Sequence, residues 1–266
     1  MPAGDWASYS WPGTTVLRNR LGLHDRDDLR IQEYAFVSTR QADLEVGTVV
    51  IPATYDAAHL RAIHHHLFQD VYDWAGEHRT VPLAKDISEF APTNRISSYL
   101  DGAAAMVDNT SWPSVPADEF ARTMAKVYAW ANHAHPFREG NGRATKIWLA
   151  AIAEQSPWQL DYERIDADAW NQAAALSGPD RGQLTPDPGT LLPVFTAITT
   201  ARPEPPAPSR PAFADRTRDI SQRLSKPPPL HTTEPPSEPK RPPALGIDAE
   251  DEPSAAPDRQ RPRYRQ

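Results

Sequence analysis

The chain has 266 residues, 39% of them hydrophobic, with 29 prolines, no cysteine and a formal charge of -7. That length suits one medium domain with additions. The lack of cysteine excludes disulfides and cysteine-ligated metals. Of the prolines, 16 lie between Arg202 and Gln266. A proline-rich polar segment cannot bury enough apolar surface to offset its ordering entropy. The expectation is therefore a globular body over residues 1–200 and a disordered Pro-rich tail over 201–266. Residues 202–266 hold 12 of the 28 Lys/Arg and 10 of the 35 Asp/Glu, which leaves 16 basic and 25 acidic residues before them. An acidic body argues against direct nucleic-acid binding, which needs a basic footprint. No apolar run is long enough to span a membrane, and the first residues lack a secretory leader pattern, so the expected location is cytoplasmic.

Taken in order, the chain opens with aromatics and a turn at Trp11-Pro12-Gly13. Thr14 or Thr15 then suits the cap of a short helix ended by Gly22. Leu29 to Thr39 is a second short helical stretch. Val46 to Ile51 is apolar and β-branched, which fits a strand or extended crossing. After Pro52 a strong helix is predicted from Leu60, Ile63, Leu67, Val71 and Trp74, with Thr54 as cap and Gly76 as stop. His64, His65 and His66 lie inside it. Consecutive residues point to different sides of a helix, so they cannot share one metal and are read as partly exposed.

Between Arg79 and Pro92, two short runs, Thr80–Leu83 and Ile87–Phe90, flank Ala84-Lys85-Asp86. This suggests a β-hairpin, with Pro82 keeping its arm at an edge. Such a hairpin is either a packing flap or an edge for strand docking. Ile96 to Asn109 is helical, with Tyr99, Leu100, Ala103 and Met106 inward. Ala117 to Ala134 is the central helix. It has Phe120, Met124, Val127 and Ala131 in its stripe and Ala121, Ala125 and Ala129 for close approach. His133 near its end is read as a packing or capping residue. Further helices are expected over Gly142–Glu154, over Leu160–Ser177 with Asp166 as cap, and over Leu191–Thr199. The fold class is all-α, with at most one hairpin. The tail reads as a solvated linker or spacer with polyproline-like spacing, and Phe213 to Leu224 as a transient helix or partner-binding segment.

Chemistry concentrates in His135-Pro136-Phe137-Arg138-Glu139-Gly140-Asn141-Gly142-Arg143. A loop entering a helix at Asn141-Gly142 presents backbone N–H groups to an anion. Gly140 and Gly142 let the backbone approach a ligand. Asn141 can donate its side-chain amide to a phosphate oxygen, and Arg143 supplies a charged, bidentate-capable contact. Glu139 is a hard oxygen ligand suited to phosphate-bridging Mg2+. His135 is the one side chain here of a type whose unperturbed titration lies near neutral pH, which suits a general base. Phe137 should turn into the core, and Pro136 biases His135 away from helix.

This stretch resembles the signature of the Fic family, His-Pro-Phe-any-Asp/Glu-Gly-Asn-Gly/Lys-Arg, and matches all 8 of its specified positions. Pro12-Gly13-Thr14, the run Leu67 to Glu77 and Phe90-Ala91-Pro92 also resemble the bacterial Fic toxins, so the likeness covers most of residues 8–200. The resemblance implies a Fic helical bundle with a small β-hairpin flap. It implies a protein adenylyltransferase that moves AMP from ATP to a Ser, Thr or Tyr hydroxyl and releases pyrophosphate. His135 would be the base, Glu139 would bind Mg2+, and Gly140, Asn141, Gly142 and Arg143 would hold the phosphates. Hairpin residues Thr80, Val81, Lys85, Ser88 and Phe90 would dock the target segment by strand-like pairing.

Many relatives carry a second Arg, for the γ-phosphate, where this chain has Lys146, which keeps the charge but not the planar fork. Gly142 fits AMP transfer better than the kinase toxins of the Doc branch, which have Lys at that step. Alternatives are a kinase or phosphocholine transferase using the same loop, or a Fic-shaped binding module. No Ser/Thr-any-any-any-Glu-Gly/Asn inhibitory pattern occurs, which points to a separate small antitoxin. By the same resemblance, DNA gyrase and topoisomerase IV are the candidate targets.

Overall fold

The computed structural model describes residues 6–85, 88–180 and 182–203. The tail expected from 201 onward, with its polyproline stretches and the segment from Phe213 to Leu224, lies outside these from residue 204. At the centre is α4 (Ala117–Ala134). Pro116, Asp118 and Glu119 stand at its start, where the fixed proline φ and acidic side chains suit a helix N-terminus. Its whole apolar stripe is buried, including Ala121, Ala125, Ala129, Ala131 and Ala134. These small side chains let neighbours come close. Helix α3 (Ile96–Asp108) packs on one side of it and α7 (Leu192–Ile198) on another. A Cβ on Gly102 of α3 would sit 2.2 Å from the Trp130 ring of α4, so a glycine is needed at that crossing.

After α4 come six loop residues, 135–140, then α5 (Asn141–Ala153), so the nine-residue stretch ends in the first turn of α5. Helix α2 (Ala57–Phe68) packs on α5, and α1 (Arg26–Glu45) packs on α2. Short strands β1 (Ala84–Lys85) and β2 (Ser88–Glu89) form an antiparallel hairpin in the register Ala84↔Glu89 and Lys85↔Ser88. The fold is mostly helical, as expected. No helix among the described residues is long and apolar enough to cross a membrane.

Several expected elements differ. No helix forms over residues 14–22. The Thr14 hydroxyl instead donates to the Trp11 carbonyl and accepts from the Val16 N–H, closing a turn across the Ser10↔Leu17 bridge. Helix α1 is far longer than the stretch from Leu29 to Thr39. Asp25 caps it by accepting from Asp27 and Asp28, and Leu29 and Val37 are its only fully buried residues, so its periodicity is faint. Val46–Ile51 is not a strand, and Val46 and Val50 are exposed beside a Gly47 turn. Asp56, not Thr54, caps α2, and the Thr54 hydroxyl donates to the cap carboxylate. The apolar spacing beyond Phe68 continues in turns, where Val71 is still buried.

The hairpin strands begin four residues later than expected at their N-terminal arm. The single expected hairpin is present among the described residues, and a second two-stranded sheet joins segments far apart in the chain. Strand β3 (Trp158–Leu160) pairs antiparallel with β4 (Thr199–Ala201). This confines the expected helix from Leu160 to Ser177 to α6 (Ala167–Ala175), which Asp166 caps as read.

Candidate active site

Helix α4 ends at His135, whose backbone is left-handed (φ 39) while its N–H still donates to the Ala131 carbonyl. The turn is fixed from below by Arg79, which is 2% exposed. Its Nε donates to the His135 carbonyl at 2.8 Å, its Nη1 to Val81 at 2.8 Å, and its Nη2 to Ala91 at 2.5 Å and Ala134 at 3.3 Å. Its backbone N–H donates to the Pro136 carbonyl at 2.7 Å. Burial lowers the guanidinium pKa to about 10, so it is still charged at neutral pH. One buried cation thus ties the hairpin stem to the histidine turn.

The imidazole of His135 stacks on Phe90, with ring centroids 3.6 Å apart and planes 13° apart. Its Nδ1 lies 3.3 Å from the Asn132 carbonyl oxygen. A carbonyl only accepts, so Nδ1 carries the proton and Nε2 the lone pair in the neutral ring. That is the tautomer a general base requires.

Inside the loop, Phe137 is fully buried, as expected, and stacks on His64 at 3.7 Å. His64 and His66 are buried rather than partly exposed. The reason is hydrogen bonding. His64 donates from Nε2 to the Glu139 carbonyl at 2.9 Å and accepts the Gly76 N–H at Nδ1, 2.8 Å. Asn141 has a structural task in the loop. Its Oδ1 accepts from the Phe137 N–H and its Nδ2 donates to the Phe137 carbonyl, so the amide staples the loop. Gly140 has φ 80, and a Cβ there would lie 2.3 Å from Phe68, so this position is closed to other residues. The first intrahelical bond of α5 joins Ala144 to Gly140. The N–H groups of residues 141–143 therefore precede the ladder and form an anion-favouring helix start.

Burial holds the His64 pKa down to about 3, with the Arg143 charge acting the same way and the Glu139 carbonyl bond opposing. An unfolded histidine titrates at about 6.5. Between those values the unfolded chain binds the extra proton, so stability present above about pH 6.5 is lost as pH falls. The urea midpoint should drop on acidification from about pH 7 to about 4, and His64→Phe should drop with a shallower slope. His133, lowered to about 4 by burial and then the Arg79 charge, adds in the same direction. A variant slope equal to the wild-type slope would assign the acid sensitivity elsewhere.

His135, Glu139, Gly140, Asn141 and Gly142 all face one cavity of about 410 Å³. Its far wall is made by Tyr128, Asn132, Trp170 and Asn171. Arg138, unassigned from the sequence, also lines it, with its guanidinium 4.8 Å over the Trp6 ring and its Nε without an acceptor among the described residues. Glu139 accepts from the Gly140 N–H at 3.0 Å. Arg143 is drawn to the side, its Nη2 2.5 Å from Glu33 and 3.6 Å from Glu139. Lys146 does not line the cavity. Its ammonium lies over the rings of Tyr162 (4.6 Å) and Trp170 (5.1 Å), and burial lowers its pKa.

The hairpin meets the cavity through Phe90. Thr80 and Val81 lie before its strands. Val81 is fully buried, with its carbonyl taken by Arg79, and Thr80 donates its N–H to the Tyr9 hydroxyl. The Val81 carbonyl and the Thr80 N–H therefore already have partners within the chain. Lys85 and Ser88 are register partners in the hairpin.

The Fic/DOC family pattern matches residues 54–153, which contain the loop. The chain is 33% identical over 168 residues to the probable protein adenylyltransferase Fic of Escherichia coli K12, covering 62% of this chain and 81% of that one. It is 33% identical over 170 residues to the protein adenylyltransferase VbhT of Bartonella schoenbuchensis, covering 64% of this chain but only 35% of that longer relative. Among solved structures, BepC of Bartonella tribocorum with bound AMPPNP matches with a TM-score of 0.63 at 23% identity, covering 74% of this chain and 98% of that one. The chain belongs to the Fic/DOC family. The helical bundle with its short hairpin is the Fic fold.

Proposed function

We propose that residues 1–200 form a protein adenylyltransferase that moves AMP from ATP to a Ser, Thr or Tyr hydroxyl of a target protein. The observation that carries this reading is the shared cavity, which His135 and the open N-terminus of α5 face together. Relatives named protein adenylyltransferases support it. The target hydroxyl oxygen attacks the α-phosphorus, the bond from that phosphorus to the bridging oxygen breaks, and pyrophosphate leaves. His135 Nε2 takes the hydroxyl proton. The N–H groups of residues 141–143 and the helix dipole meet the phosphate charge, as transfer of this kind depends on positioning and charge stabilisation. Arg143 completes the cradle.

Glu139 fits Mg2+ that is carried by the phosphates. It is a carboxylate at the cavity, and Mg2+ needs only one or two protein carboxylates beside phosphate oxygens and water. The metal would neutralise charge on the phosphate chain. Lys146, over its two aromatic rings, braces the Trp170 wall in this reading instead of reaching the γ-phosphate. The lack of an inhibitory Ser/Thr-to-Glu pattern fits a toxin restrained by a separate antitoxin. Resemblance to such toxins makes gyrase and topoisomerase IV the targets to examine first.

The test is incubation of a bacterial lysate with ATP labelled at the α- or at the γ-phosphate. Label from the α-position and an AMP mass gain on a protein are expected. Transfer of γ-label with a phosphate mass gain would replace this reading with a kinase.

A further inference from the structure

We propose that Glu33 and Tyr72 are positioning residues that hold the Arg143 guanidinium ready for the phosphate chain. The inference rests on the nucleotide-binding part of the function proposed above. Glu33 belongs to α1, outside the matched family segment and 110 residues from Arg143. Its side chain is only 12% exposed. One carboxylate oxygen takes Arg143 Nη2, and the other accepts the hydroxyl of Tyr72, itself fully buried. The guanidinium carbon lies 4.6 Å over the ring of Phe68, and that same ring fills the space next to Gly140. Arg143 is therefore held on one edge by a hydrogen-bonded carboxylate and on one face by an aromatic ring.

The arrangement is more than a surface ion pair. An exposed pair is worth little, because two long side chains must be ordered for a screened attraction. Here Tyr72 fixes the carboxylate first, and the carboxylate then fixes the arginine. Among the described residues the guanidinium bonds only through Nη2, and its Nε and Nη1 donors meet no acceptor there. A guanidinium has five donors in a rigid fork. A ligand can use the remaining edge while Glu33 holds the first. An arginine ordered before the ligand arrives loses less rotamer freedom on binding. Glu33 can act in the opposite sense only as a competitor for the same cation, and the two senses predict opposite changes.

The test is binding of a non-hydrolysable ATP analogue and of adenosine to the full chain, by calorimetry. This readout needs no target and no turnover, so a failure of AMP transfer leaves it intact. Glu33→Ala should weaken the ATP analogue about tenfold, the scale of one charge-assisted contact, and leave adenosine unchanged. Glu33→Gln keeps the size and the Tyr72 contact, and should weaken the analogue by a smaller factor. Tyr72→Phe should act in the same direction. In an Arg143→Ala background, Glu33→Ala should add nothing, because it acts through that arginine. Unchanged or tighter analogue binding in both Glu33 variants would overturn the proposal, as would equal weakening of adenosine or full additivity with Arg143→Ala.

Discussion

Replacing His135 by Asn is expected to cut AMP transfer by about 100- to 10,000-fold, the usual share of a positioned general base. Asn is chosen because the position has φ 39, and Asn is among the residues that tolerate the left-handed region. It preserves the cap of α4 and a polar group under Phe90 while removing the titrating nitrogen. His135→Ala should lose a similar amount of activity, and both variants should bind the ATP analogue like the wild type. This pattern separates the base from the phosphate cradle, since the cradle is made by the α5 N-terminus and not by the imidazole. Steady-state transfer of α-label, with melting temperature as the folding control, checks it. Substantial transfer by His135→Asn would move the base role to another group at the cavity.

The stretch from His135 to Arg143 stood out in the sequence because its signal is local. A histidine before proline, two glycines and a following helix lie within nine residues, and each constrains its neighbours' backbone. Helix α4 was legible for the same reason, through a long regular stripe. What the sequence hid is what depends on distant partners. The β3–β4 pairing joins Trp158–Leu160 to Thr199–Ala201, and short runs give no period to read. The structural task of Asn141 was hidden because an amide beside glycines is ambiguous until Phe137 is seen to pair with its Oδ1 and Nδ2. His64 sits in a run of three histidines that looks like surface. Only the Glu139 carbonyl and the Gly76 N–H show why that one is buried and neutral. Glu33 lies on a helix with a weak apolar face, and nothing near it in sequence announces a partner on α5.

Arg79 is the largest such omission, and Arg79→Met is expected to destabilise the fold by about 3–5 kcal/mol, on the scale of several buried carbonyls left without a donor at about 1–3 kcal/mol each. Methionine keeps much of the apolar stem, so the loss reports the donors and not a cavity. The carbonyls of Val81, Ala91, Ala134 and His135 would each lose a donor in a place that water reaches poorly. Arg79→Lys should fall between, because a single ammonium cannot span the positions that the fork reaches. Urea unfolding measures all three proteins on one scale, and a methionine variant as stable as the wild type would refute the clamp. Activity should fall further than stability alone explains. Two of the carbonyls belong to the turn that aims His135, and two belong to the segments flanking the hairpin. With the clamp gone, base and flap lose their common anchor, and Phe90 no longer holds the imidazole at a fixed angle. Transfer assayed well below the melting temperature should therefore drop even where the variant remains folded.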